Sequence, residues 1–152
     1  MKRTLYLVRG LAGSGKTTLA RTILDSYMSW DERVEGLMVC ADDFFEVDGE
    51  YRFDASRLGE AHDWCKSRVE DNMLDGEPII VVHNTFSRRW EMEPYFMLAM
   101  LFRYSVFVIE CQNDFGSVHD VPDEVRERMA SRWESNPRNP EGINNKPKKR
   151  SQ

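Results

Sequence analysis

The most specific chemistry in this chain lies in eight residues, Gly10-Leu11-Ala12-Gly13-Ser14-Gly15-Lys16-Thr17, which fit the G-x-x-x-x-G-K-[ST] spacing of a phosphate-binding (Walker A) loop. Glycines let the backbone turn successive N–H groups toward one phosphate, and the start of the next helix adds the positive end of its dipole. In such a loop Gly10, Ala12, Gly13, Ser14, Gly15, Lys16, Thr17 and Thr18 line the nucleotide. Lys16 reaches the β- and γ-phosphates, and Thr17 offers a hydroxyl to Mg²⁺. The competing reading is an ordinary glycine-rich turn. Its flanks argue otherwise: the apolar run Leu5-Tyr6-Leu7-Val8 precedes it and a helix-like stretch over 18–27 follows. The expected ligands are a nucleoside triphosphate, ATP, and Mg²⁺.

Phosphoryl transfer needs the γ-phosphate held, its charge neutralised and the attacking oxygen aligned. Asp42, just beyond a second apolar run, suits an acceptor hydroxyl as base or orienting partner, and with Thr17 it could face Mg²⁺. Asp43 is its rival for that work and a candidate for substrate contact. Aspartates in such places also simply turn or cap a chain, and that reading stays open. His83 closes a third apolar run, where histidine is as often structural as catalytic. His62, in the middle of a helix, and His119, in a loop, have weaker claims.

The elements that must position these groups alternate between strand and helix. Strands are expected at 4–8, 37–40, 79–82 and 105–109. Helices are expected at 18–27, 55–74, 89–102 and from Pro122 onward, with a turn at Asp48-Gly49. Leu19, Ala20, Ile23, Leu24 and Tyr27 form a stripe of helical period. Leu58, Ala61, Cys65, Val69 and Met73 form a second, and Val125, Met129 and Trp133 a third. This order predicts an α/β fold, a parallel sheet with helices on both faces. Ligands of such sheets sit beyond the carboxyl ends of the strands. That singles out the loop after the first strand, Asp42-Asp43, His83-Asn84-Thr85 and the segment 111–121.

A chain of 152 residues, 41% hydrophobic and 31% charged, is expected to form one domain over 1–135. No apolar run suits a membrane span, and the first strand begins too soon for a signal peptide. Cys40, Cys65 and Cys111 form no C-x-x-C pair, which argues against a disulfide framework or zinc site and for a reducing, cytoplasmic setting. Residues 136–152 carry five basic residues against one acid, a net of +4. The overall charge of −5 therefore leaves the body at −9. That proline- and asparagine-rich tail is expected to be disordered. It reads as a solvated terminus or as a weak attractor of nucleic acid. The acidic body confines any polynucleotide contact to a local basic channel.

Beyond the loop, the chain carries Asp42-Asp43-Phe44-Phe45, Gly49-Glu50-Tyr51-Arg52-Phe53 and Ala61-His62-Asp63-Trp64-Cys65. Asn84-Thr85, Trp90-Glu91-Met92-Glu93-Pro94-Tyr95 and His119-Asp120-Val121-Pro122 follow. In this order the blocks resemble the polynucleotide-kinase-type P-loop proteins over about residues 3–135, a group with phage 5′-hydroxyl kinases and AAA-named ATPases. The resemblance implies a three-layer P-loop NTPase fold of the adenylate-kinase-like branch. It implies Asp42 as the hydroxyl-activating aspartate, and substrate or nucleotide phosphates near Asn84 and Thr85. The acceptor it implies is a nucleic-acid 5′ end.

Departures are specific. Where the family reads D-N-T-N, this chain has His83-Asn84-Thr85-Phe86, so Mg²⁺ falls to Thr17, Asp42 and water. The lid lacks the family's arginine before His119. Arg126 and Arg128, with Arg132, are the candidates to replace it, against a plain reading as surface arginines. Phe44 and Phe45 stand where some relatives grip the substrate phosphate with arginine. Three functions follow: a kinase of polynucleotide 5′-hydroxyls, a nucleotide-dependent switch with little turnover, or a kinase of a small metabolite held among Phe44, Phe45, Tyr51 and Phe53.

Overall fold

Apolar runs become strands wherever they are short and bounded by turn residues. β1 (Thr4–Gly10) leads into α1 (Lys16–Trp30), and β2 (Leu37–Val39) into a 3-10 turn at Ala41–Phe45. A small hairpin follows, β3 (Glu46–Val47) and β4 (Glu50–Tyr51), then a second 3-10 turn at Ala55–Arg57 and α2 (Leu58–Leu74). β5 (Ile79–Asn84), α3 (Arg89–Phe102), β6 (Ser105–Cys111) and α4 (Asp123–Ser131) complete the order. The structure is a computed structural model, and it describes residues 1–116 and 121–135. The predicted basic tail, 136–152, and His119 lie outside the described residues.

Four strands pair in parallel in the order β2-β5-β1-β6. β1 is central because it is apolar on both faces: Leu5 and Leu7 point one way, Val8 the other, and all three are buried. On the first face, Leu5, Leu7, Val39, Ile80 and Val82 pack against Ala61, Cys65, Val69 and Met73 of α2 and Met92, Tyr95 and Ala99 of α3. On the other, Val8, Ile79 and Val81 pack against Ala20 and Leu24 of α1. The result is a three-layer α/β fold. Its sequence reverses direction at β1, so the loop after β1 opens between the ends of β5 and β6.

Several boundaries differ from expectation. α1 begins at Lys16 rather than residue 18, so the phosphate-loop lysine is itself helical. β5 runs through Asn84, which makes His83 and Asn84 strand residues rather than loop residues. Leu58, the first residue of α2, is exposed rather than part of the core stripe. α4 ends at Ser131 and buries no residue fully, so Val125 and Met129 only lean on the body. Trp133 lies beyond the helix and packs flat on an arginine. The predicted Asp48-Gly49 turn closes β3 to β4 with φ of 53° and 80°, the two positive values of a type I′ hairpin.

Candidate nucleotide and acceptor site

The phosphate loop has the shape its sequence requires. Gly15 starts α1 in the left-handed region at φ 90° with no side-chain cap, so the first N–H groups of the helix have no capping acceptor. Gly10 has no room for a side chain: a Cβ there would collide with the Ser14 hydroxyl and come within 2.9 Å of the Cys111 carbonyl oxygen. Lys16 Nζ folds back and donates to the Leu11 carbonyl at 2.9 Å. Burial lowers the Lys16 pKa, against opposing fields from Cys111, Asp42 and Cys40. The Ser14 hydroxyl is buried without a hydrogen-bond partner among the described residues. Uncapped N–H groups, a desolvated cation and an orphaned hydroxyl within one loop fit a polyphosphate. Thr17 and Thr18 lie exposed in the first turn of α1.

The two aspartates after β2 divide their work. Both oxygens of Asp43 are occupied by Cys40, Oδ2 accepting from its backbone N–H at 3.0 Å and Oδ1 from its thiol at 3.3 Å. Asp43 thus caps the 3-10 turn that it belongs to. Asp42 is exposed on the same turn, and its field reaches Lys16, His83 and Tyr51. Tyr51, carried by the β3–β4 hairpin, comes within the field of the Asp42 carboxylate. Burial, before that carboxylate, raises the pKa of the phenol. Asn84 is buried and braces the strand ends: Oδ1 accepts from the Ala41 N–H at 2.9 Å. Thr85 offers its carbonyl to Gly10 N–H at 3.3 Å. His83 is buried beside the same groups, and burial lowers its pKa below the ordinary value, so it is neutral at pH 7.

Over the loop lies the segment after β6. The Phe115 N–H donates to the Gly13 carbonyl at 2.8 Å, and its ring would be 3.1 Å from a Cβ on Gly15. Asp114 in that segment pairs with Arg126 of α4 at 2.6 Å, so Arg126 sits one ion pair from the phosphate loop. Arg128 is exposed on the same helix. Magnesium sites in phosphoryl-transfer enzymes use one or two carboxylates, a hydroxyl and substrate phosphates rather than an all-protein cage. The exposed Thr17 hydroxyl and Asp42 carboxylate fit that donor set, and no group of three or more His, Cys, Asp or Glu among the described residues forms a cage.

Two residues escaped the sequence reading. Tyr51 stood out only as one of several aromatics, because nothing in sequence says that a hairpin will fold it back on Asp42. Arg9 is the other. It is fully buried at the end of β1, donates to the Phe86 carbonyl at 3.0 and 2.7 Å and to the Glu134 carbonyl at 2.7 Å, and lies 4.0 Å from the Trp133 ring centre. A charged residue interrupting an apolar strand directly before the loop was the available signal.

This loop on this sheet defines a P-loop nucleotide-binding protein of kinase-like fold. The chain belongs to the AAA domain family, whose model matches residues 5–141. It is 39% identical over 106 residues to human (Homo sapiens) NEDD4-binding protein 2, covering 70% of this chain and only 6% of that protein. Among solved structures it is similar to Chaetomium thermophilum Kti12 in complex with ADP-AlF3, with TM-score 0.64, 14% identity, and coverage of 88% of this chain and 82% of that one. It also matches a chain of the Pnkp1/Rnl/Hen1 complex, with TM-score 0.54, 18% identity, and coverage of 84% and 38%.

Proposed function

We propose that this domain transfers the γ-phosphoryl group of ATP to a hydroxyl acceptor, and that the acceptor is the 5′-hydroxyl of a polynucleotide. The carrying observation is the division of labour after β2. Asp43 is spent on Cys40, which leaves Asp42 as the carboxylate facing the Lys16 side of the sheet. Lys16 leaves the Leu11 carbonyl to meet the β- and γ-phosphates. Asp42, beside Tyr51, takes the proton of the attacking hydroxyl as its oxygen bonds to the γ-phosphorus and the bond to the ADP oxygen breaks. Neutral His83 beneath Asp42 adds no positive charge that would weaken it as a base. Mg²⁺, when bound, neutralises charge on the phosphate oxygens. Arg126, released from Asp114, is the candidate cation for the transferring group. The likeness in fold to a chain of the Pnkp1 complex supports the polynucleotide acceptor.

A small hydroxyl-bearing acceptor is the second reading. It is favoured by the acidic hairpin beside Asp42, where Glu46, Asp48 and Glu50 are exposed and repel a phosphate chain. The deciding experiment is transfer of label from γ-labelled ATP to a 5′-hydroxyl oligonucleotide and to free nucleosides. Labelled oligonucleotide, lost in Lys16→Ala and Asp42→Asn, supports the first reading. Labelling of nucleosides alone supports the second, and no transfer to either rejects both.

A further inference from the structure

Beyond Glu93, helix α3 is apolar all round. Its inner stripe, Met92, Tyr95, Leu98 and Ala99, is buried against the sheet and α2. Its outer side should then be polar, as on an ordinary surface helix. Instead, residues 94–102 carry no charge at all, and the outward positions are large and apolar. Trp90 is 70% exposed, Met97 62%, Met100 76% and Leu101 70%. Trp90, Pro94, Met97 and Leu101 follow one another at spacings of four, three and four, the repeat of a helix seam that packs on another helix. They line an open groove of about 770 Å³ between α3 and α2, whose rim is Lys66, Glu70 and Glu93.

We infer that this face is the interface of a two-fold symmetric dimer, and that its occupant is the same face of a second copy of this chain. Size is the first argument. The exposed side chains of Trp90, Met97, Met100 and Leu101 present on the order of 600 Å², at the upper end of the largest patches on monomers and approaching the ~800 Å² per partner of a standard interface. Leu74, also exposed, extends the Lys66–Glu70 row of α2 by one turn and brings the area closer to that figure. Charge is the second. A symmetric interface must be complementary to itself, and this rim carries both signs, so Lys66 can meet Glu70 or Glu93 of the opposing copy. A face meant for a strongly charged partner would carry one sign. Packed in this way, the α3 seam meets its own image and the rim charges ring a dry centre, as interfaces of this size do. Nothing in the proposal depends on which acceptor the nucleotide site takes.

Sedimentation equilibrium of the chain at tens of micromolar tests it, beside Met97→Glu and Leu101→Glu. The expected mass is twice 17.8 kDa for the unaltered chain and the single value for both variants. Circular dichroism and ATP binding should be unchanged in the variants, which separates loss of the interface from loss of the fold. A monomer at that concentration overturns the inference, as does a dimer that survives both glutamates.

Discussion

At the scale of single residues, Asp42 and Asp43 make the sharpest contrast in the molecule. They are adjacent and chemically identical, yet one faces the Lys16 side of the sheet and the other is consumed as a cap. Asp42→Asn keeps the shape and removes the proposed base, so phosphoryl transfer should fall about 10²- to 10⁴-fold with ATP binding intact. Asp43→Asn keeps one acceptor for the Cys40 N–H. It should leave the transfer rate within a few-fold and cost about 1 kcal/mol of stability, read as a lower denaturation midpoint. If Asp43→Asn is the dead variant and Asp42→Asn the active one, the assignment is reversed. His83 supplies a second residue-scale prediction. Its folded pKa is lowered, so below about pH 6.5 the unfolded chain binds a proton that the native site refuses. Stability from this group is complete above that pH and is lost as pH falls toward the depressed folded value. Thermal melts between pH 7.5 and 5 should show this loss, and His83→Gln should flatten that part of the curve. An identical slope in the variant would assign the acid sensitivity elsewhere.

At the scale of elements, Arg9 joins three pieces at one point: the end of β1, the turn after β5 at Phe86, and the chain beyond α4 at Glu134. Phe86 has φ 47°, unusual for a large residue, and its carbonyl takes two of the Arg9 hydrogen bonds. Glu134 is held further by Arg88 and Arg89 at 3.0 and 3.4 Å, and Trp133 by Glu110 at 2.7 Å. Arg9→Met strips the Phe86 and Glu134 carbonyls of their buried donor and should cost about 3 kcal/mol. Amide exchange should then quicken first over residues 121–135, before the β1–β5 pairing loosens. Uniform loss of protection would mean that Arg9 supports the sheet alone. Elements of this kind explain what was legible in the sequence. The four parallel strands, α1 to α3 and the phosphate loop are local patterns of period and glycine spacing, so they could be read in order. Leu58 and Trp133 misled because a helical stripe specifies a face but not how far along it the packing extends. Tyr51 on Asp42 and the clamp at Arg9 join residues 9 and 77 positions apart, and no local pattern encodes such contacts. The ends of β5 and α1 were read short because polar His83 and the loop's own Lys16 look like the end of an element.

For the molecule as a whole, charge decides what can approach the site. The net charge is −5, and the hairpin beside Asp42 adds Glu46, Asp48 and Glu50 at its surface. On the proposed reading a polynucleotide would approach along α4, where Arg126 is partly exposed and Arg128 is exposed, beside Asp123, Glu124 and Glu127. Each phosphate neutralised on a single strand contributes a slope of about −0.7 to the dependence of log affinity on log salt. Three such contacts would raise the oligonucleotide KM about twentyfold between 50 and 200 mM salt, while the KM of an uncharged nucleoside stays flat. Arg128→Gln should reduce the oligonucleotide slope by about one contact and leave kcat unchanged, because it removes an exposed cation and no base or phosphate-loop group. The ATP dependence serves as the internal control. On the proposed reading Lys16 grips the nucleotide from inside the loop, so salt should affect the KM for ATP similarly in the unaltered chain and in Arg128→Gln. An oligonucleotide KM that ignores salt, or a slope that Arg128→Gln leaves intact, would rule out entry along α4. The acceptor would then have to be small enough to reach Asp42 past the acidic hairpin.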